Sequence, residues 1–155
     1  MVSSGETVLQ HLSSASSYVL LPITGGAIGQ GLPLSLGAAM ACPDRKVIAL
    51  EADGSGMYTL QSLWTMARER LDVVSVILAN RRYRIMDIEM QRTGAGAMGP
   101  MANNMVDIGR PDLDWVKLSE GMGVPATRAT AADEFIAQFR AAVSQKGPAL
   151  IEAVV

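Results

Sequence analysis

Apolar positions in this chain fall into short blocks, and the spacing within the blocks alternates along the sequence. "YVLLPIT" (18–24), "KVIALEA" (46–52), "DVVSVILA" (72–79) and "PALIEAVV" (148–155) are nearly continuous apolar runs, and each is predicted as a strand. "DVVSVILA" is the most uniform, as expected when a parallel strand is covered on both faces. "VPATRA" (124–129) is a shorter strand. Between these runs the period lengthens. "GGAIGQGLPLSLGAAMAC" (25–42) is a glycine-rich turn leading into a helix of small residues. "YTLQSLWTMARER" (58–70) has helical spacing through Leu60, Leu63, Trp64 and Ala67, and residues 83–90 make a short helical segment. "DLDWVKLSEGMG" (112–123) is a helix with Asp112 as N-cap and a glycine at its end. "AADEFIAQFRAAVSQKG" (131–147) is a capped amphipathic helix. Residues 91–111, rich in Gly, Met and Asn, show little periodicity and suit a mobile lid or an adaptable apolar surface. Residues 1–17 are a Ser-rich lead-in to a domain spanning 18–155.

Strands alternating with helices at short intervals predict an α/β fold: a mainly parallel sheet with helices on both faces. At 155 residues the chain is long enough for one domain with a substantial core. The hydrophobic fraction is 49 % but aromatics are only 5 %, so that core is aliphatic. A net charge of −2 gives no electrostatic reason to expect nucleic acid or an anionic membrane as partner. No apolar run has the ~18 residues of a membrane helix, and a single cysteine, Cys42, excludes an intrachain disulfide. Together these features lead us to expect a cytoplasmic protein.

Ligands of parallel sheets bind beyond the carboxyl ends of the strands. Asp53 and Asn80 stand at two such ends, one after each of two consecutive strands. A carboxylate and a carboxamide without histidine or spare cysteine suit a hard cation such as Mg²⁺, which shares its shell with water and substrate phosphates. Gly54 lets a phosphate approach the backbone, and Ser55 adds an N–H and a hydroxyl at a helix start, where anions are favoured. A magnesium-bridged diphosphate follows from these residues. So does a plainer reading, in which Asp53-Gly54 is an ordinary strand-to-helix turn with the aspartate as cap.

The segment "ADGSGMYTLQSLWTMARERLDVVSVILANRRY" resembles the thiamine-diphosphate motif, which opens Gly-Asp-Gly and closes Asn-Asn about thirty residues later. "ITGGAIGQGLPLSLGAAMACPDRKVIAL" and "GPALIEAVV" are likewise similar to the C-terminal cofactor domain of the acetolactate synthase and benzoylformate decarboxylase family. The likeness runs over residues 18–155. It implies Mg²⁺ bound by Asp53, the Asn80 side chain and the Arg82 carbonyl. It also implies thiamine diphosphate contacted by Gly54 and Ser55 at the diphosphate, by Gly26, Ile28 and the Ala52 carbonyl around the aminopyrimidine, and by Tyr83, Ile85 and Met86 on the substrate side. Ile28 would be the apolar wedge under the bent cofactor; taken without the resemblance, it is a core residue. The implied reaction is decarboxylation of a 2-keto acid. Met86 stands where some pyruvate decarboxylases carry glutamate, which favours an acetolactate-synthase-like or aryl-keto-acid decarboxylase-like site.

Departures from the motif bear on this. Ala52 replaces its first glycine and Ala79 its first asparagine. Arg81 and Arg82 replace small residues, and are either anion-recognition groups or solvated loop arginines. Glu51 ends an apolar strand without an evident role, and His11 sits in the lead-in as a surface residue. In the family, a glutamate on a separate pyrimidine-binding domain activates the cofactor. Glu6 stands in an unrelated context, and nothing else here is similar to that domain, so no catalytic residue is assigned. The implied partner is a pyrimidine-binding domain, on a longer parent chain or a separate subunit, in a dimer or tetramer acting on a 2-keto acid. The alternative is a non-catalytic or degenerate assembly module of the same fold. A nicotinamide-binding domain fits less well, because "GGAIGQG" does not contain G-x-G-x-x-G.

Overall fold

The structure, a computed structural model, describes Val8 and residues 10–155. Its centre is a four-stranded, fully parallel sheet in the order β1-β2-β4-β3. The strands are β1 (Val47–Ala52), β2 (Val73–Ala79), β3 (Ala126–Ala129) and β4 (Ala149–Val154). The helices are α1 (Gly31–Ala41), the single turn α2 (Asp53–Gly56), α3 (Ser62–Arg68), α4 (Arg84–Thr93), α5 (Pro100–Val106), α6 (Trp115–Gly121) and α7 (Ala132–Ser144). In the central strand β2 nearly every side chain is buried, which explains its continuous apolar sequence.

Two apolar cores flank the sheet. On one face Leu32 and Ala39 of α1, Leu63 and Met66 of α3 and Trp115 of α6 pack on Ala49, Val73, Ile77 and Leu150. On the other, Phe135, Phe139 and Ala142 of α7 pack on Val74, Val76, Ala129, Ile151 and Ala153. Helices therefore cover both faces, although α7 reaches mainly β3 and β4, and Ile48 of β1 stays half-exposed.

Three local expectations are corrected. Residues 18–24 form no strand, and Tyr18, Val19, Leu20 and Leu21 are exposed. A strand exists only by pairing, and this run pairs with neither sheet edge among the described residues; Pro22 further removes one donor. The N-cap of α6 is Asp114, whose Oδ1 accepts the Lys117 N–H at 3.2 Å, while Asp112 accepts the Arg81 Nε–H instead. The 91–111 stretch is not structureless. It contains α5, which begins with Pro100 at a position where the missing N–H is harmless. Met101 on this helix is 80 % exposed, so the apolar-surface expectation for the segment stands beside its helical structure. Of the lead-in, residues 1–7, including Glu6, lie outside the described residues; Leu12–Ser14 form one 3₁₀ turn and His11 is exposed.

Candidate functional site

At the end of β1 the backbone is extended through Ala52 (φ −86°, ψ 149°) and turns at once into α2. Alanine adopts this conformation without strain, so the absence of the motif's first glycine has no conformational cost here. Gly54 is different. A Cβ there would lie 2.5 Å from Cε1 of Tyr83, so a bare backbone is required for the Tyr83 ring to pack over the turn.

Asp53 joins the ends of β1 and β2. Its Oδ1 accepts the Gly54 N–H at 2.9 Å and its Oδ2 accepts the Arg81 N–H at 2.6 Å. The residue is only 2 % exposed. Burial raises its pKa above the ordinary carboxylate value, against the opposing pull of the backbone amides of Arg81 and Gly54. No cationic side chain pairs with it among the described residues. At the end of β2, Asn80 Oδ1 accepts the Arg82 N–H at 3.0 Å across a tight bend. Arg81, at φ +58°, holds the left-handed conformation that makes this bend and aims its N–H at Asp53. The Arg82 carbonyl accepts the Arg84 N–H at 2.8 Å.

The two arginines are neither free anion receptors nor simply solvated. Arg81 Nε donates to Asp112 at 2.7 Å. Arg82 donates to both carboxylate oxygens of Asp87, at 2.6 and 2.7 Å, and to Asn103 Oδ1 at 2.9 Å, tying α4 and α5 to the end of β2.

The glycine-rich loop before α1 is fastened to the α2 turn. The Gly29 N–H donates to Ser55 Oγ at 2.9 Å, and the Gly29 carbonyl accepts the Thr59 hydroxyl at 2.7 Å. Gly29 itself, at φ +87°, is a position where a side chain would be strained. Thus anchored, the loop brings Ile28 to a pocket it shares with Ala52, Gly54, Ser55, Asn80, Arg82, Tyr83, Arg84 and Ile85. Eight of these nine are site residues expected from the sequence. Arg84 was missed; its position between Tyr83 and Ile85 was the available signal. Asp53 lies buried beneath the pocket, while Gly26 and Met86 are not in its lining.

The donor set is compatible with a divalent cation. Among the described residues no three His, Cys, Asp or Glu converge on one point. The site instead offers one carboxylate, one carboxamide and main-chain carbonyls, an all-oxygen set of the kind Mg²⁺ shares with phosphate and water. A buried carboxylate held only by amides retains lone pairs and an uncompensated charge, which a cation would relieve.

Residues bridging the turns are sensitive to volume. For a diphosphate held in this pocket, Gly54→Ala is expected to weaken binding at least tenfold by pushing Tyr83 off the turn, with fold and secondary structure retained. Titration of Mg²⁺ with inorganic pyrophosphate checks this, and an unchanged affinity would show that Tyr83 yields freely.

Comparison with known proteins agrees with the fold. A family model described as "Thiamine pyrophosphate enzyme, C-terminal TPP binding domain" matches residues 4–153. The chain is 51 % identical, over 97 % of its length, to a Mycobacterium tuberculosis protein named "Putative acetolactate synthase large subunit IlvX", and 34 % identical, over 92 %, to benzoylformate decarboxylase of Pseudomonas aeruginosa. It spans 30 % and 25 % of the length of those relatives. The solved thiamine diphosphate-dependent 4-hydroxybenzoylformate decarboxylase of Rhodococcus jostii superposes with a TM-score of 0.73 at 36 % identity, over 82 % of this chain and 23 % of that one. Benzoylformate decarboxylase from Polynucleobacter necessarius shares the fold with a TM-score of 0.75, over 84 % of this chain and 24 % of that one, at 24 % identity.

Proposed function

This chain belongs to the thiamine pyrophosphate enzymes, as their C-terminal TPP binding domain, and from that premise we propose that the pocket at the ends of β1 and β2 holds thiamine diphosphate through Mg²⁺ on behalf of a 2-keto acid enzyme. The observation that carries the reading is convergence. Ile28, Ala52, Gly54, Ser55, Asn80, Tyr83 and Ile85 come from three separated segments and meet at one pocket, over a buried carboxylate that has no cationic partner among the described residues.

Asp53 and the Asn80 side chain would hold the cation, with the Arg82 carbonyl as the third protein ligand. Gly54 and Ser55, which line the pocket at the start of α2, would receive the diphosphate. Ile28, with Gly26 shaping its loop, would support the ring system from below, and the Ala52 carbonyl would accept a hydrogen bond from it. Tyr83 and Ile85 would keep water from the cofactor, with Met86 on the substrate side. When bound, the cofactor supplies the carbon nucleophile for attack on a 2-keto acid; the protein positions it and excludes water.

The pocket is shallow, with a cavity volume of about 30 Å³, room for little more than a water or two. A diphosphate-sized ligand would therefore lie across it and need a second surface to be enclosed. That supports a half-site completed by a pyrimidine-binding domain, on a longer parent chain or a separate subunit of a dimer or tetramer.

The test is calorimetric titration of thiamine diphosphate into the chain with Mg²⁺ and, in parallel, with a chelator. Binding is expected only with the metal. Equal affinity in both conditions would overturn the assignment of Asp53 and Asn80.

A further inference from the structure

Glu51 is used by none of the roles above, and it is the least accommodated side chain near the pocket. It is 1 % exposed; its Oε1 accepts the Ala52 N–H at 3.1 Å, and its Oε2 has no hydrogen-bond partner among the described residues. An apolar residue would fill the end of a buried strand more cheaply. What distinguishes the position is its two glycine neighbours. A Cβ on Gly31, the first residue of α1, would lie 1.9 Å from Glu51 Oε2 and 2.8 Å from its Cδ. A Cβ on Gly56, the last residue of α2, would lie 2.7 Å from the Trp115 ring and, in ordinary contact, 3.6 Å from Glu51 Cγ. The carboxyl end therefore occupies the space in front of Gly31, and the methylenes run along Gly56.

From this the geometry points to Glu51 as a positioning residue: a spacer between the start of α1 and the end of α2, which sets how far the Ile28 loop stands from the Gly54–Ser55 turn. Gly29 and Gln30 lead directly into Gly31, so displacing the start of α1 moves the loop that carries Ile28. Ser55 and Thr59 tether that loop from one side, and Glu51 props it from beneath. The spacer acts by shape. A buried group of this length ending in two planar heavy atoms fits the notch, which glutamine also fills and alanine leaves empty. Its consequence for the pocket, unlike the prop itself, rests on the thiamine-diphosphate reading.

The test has two arms. In the first, hydrogen exchange of the amides from Gly25 to Leu32 is measured in the wild type and in Glu51→Ala, Glu51→Gln, Gly31→Ala and the Glu51→Ala/Gly31→Ala double variant. Exchange is expected to be at least tenfold faster in Glu51→Ala and in Gly31→Ala. Glu51→Gln should stay within threefold of the wild type. The double variant should exchange more slowly than either single variant, because the new methyl enters the emptied notch, a non-additivity that residues out of contact do not show. Wild-type exchange in Glu51→Ala, or fast exchange in Glu51→Gln, overturns the spacer. Should Glu51→Ala not fold, Glu51→Asp, shorter by one methylene, takes its place.

In the second arm, Mg²⁺-thiamine diphosphate and Mg²⁺-pyrophosphate are titrated into the same proteins. Glu51→Ala is expected to weaken the first at least tenfold and the second less than threefold, because Ile28 faces the ring system and not the diphosphate. Equal weakening of both would reduce Glu51 to a general structural role and overturn the positioning. Where the wild type binds neither probe, the exchange arm decides the spacer alone.

Discussion

Replacing Asp53 by asparagine should abolish magnesium-dependent binding of thiamine diphosphate, lowering affinity by a factor of a hundred or more while the chain stays folded. The carboxylate bridges the ends of β1 and β2 and supplies the negative charge a divalent cation needs there, whereas the Asn80 side chain offers only a neutral oxygen. The structural cost is small by comparison. Asparagine keeps the side-chain length and one of the two acceptors that hold the Gly54 and Arg81 amides. A pH signature accompanies the loss. Burial raises the pKa of Asp53 in the folded chain, so the folded state prefers the protonated form more strongly than the unfolded state does. Its ionisation therefore costs stability as pH rises above the ordinary carboxylate range, about 4. Stability without ligand is expected to rise, relative to Asp53→Asn, as pH falls from 7 toward that range. Urea melts of both proteins stepped from pH 7 down to about pH 4, beside the titration, check the pair of effects. Binding that survives the substitution would remove Asp53 from the metal site; a stability difference that does not move with pH would contradict its burial as an anion.

Arg128→Ala should destabilise the fold by about 3 kcal/mol although it lies outside the pocket. Glu152, in the middle of β4, is 1 % exposed, and its Oε2 accepts Arg128 Nε–H at 2.8 Å from the paired position on β3. The same guanidinium donates to Asp114 at 3.1 Å, and Asp114 caps α6. Removing the arginine leaves a buried carboxylate without its cation and loosens the cap. The expected cost is at the lower end of the ~3–5 kcal/mol range for broken buried pairs, because the Arg128 side chain is 40 % exposed and water can partly replace it. For a domain of this size that is a fall in Tm of roughly 6–12 °C. Adding Glu152→Gln should recover part of the loss by removing the stranded charge. A fall of less than about 1 kcal/mol would place the pair with ordinary surface ion pairs.

How much of this was legible beforehand differs residue by residue. The strands ending at Ala52 and Ala79 were visible because a parallel strand between two layers must be apolar on both faces, and that requirement is written locally. Once those ends were placed, Asp53, Gly54, Ser55 and Asn80 followed, because parallel strands present their carboxyl ends on one edge. The glycine-rich loop with Ile28 was legible through its resemblance to a family motif, whereas its tether to Ser55 and Thr59 was not. The run at 18–24 misled, since strand propensity says nothing about whether a partner edge exists. The sequence pointed to Asp112 as the cap of its helix, but Asp114 caps α6 while Asp112 accepts from Arg81, which approaches from another element.

The sequence by itself determined the alternation of elements, the parallel sheet and the residues at its carboxyl edge, because periodicity and strand-end chemistry act over a few neighbouring positions. Only the tertiary structure decided what the charges do. Arg82 turns to Asp87 and Asn103, Glu152 is answered by Arg128, and Glu51 lies against Gly31 and Gly56. Contacts between different elements depend on sheet register and on how closely helices approach, and no local pattern encodes either.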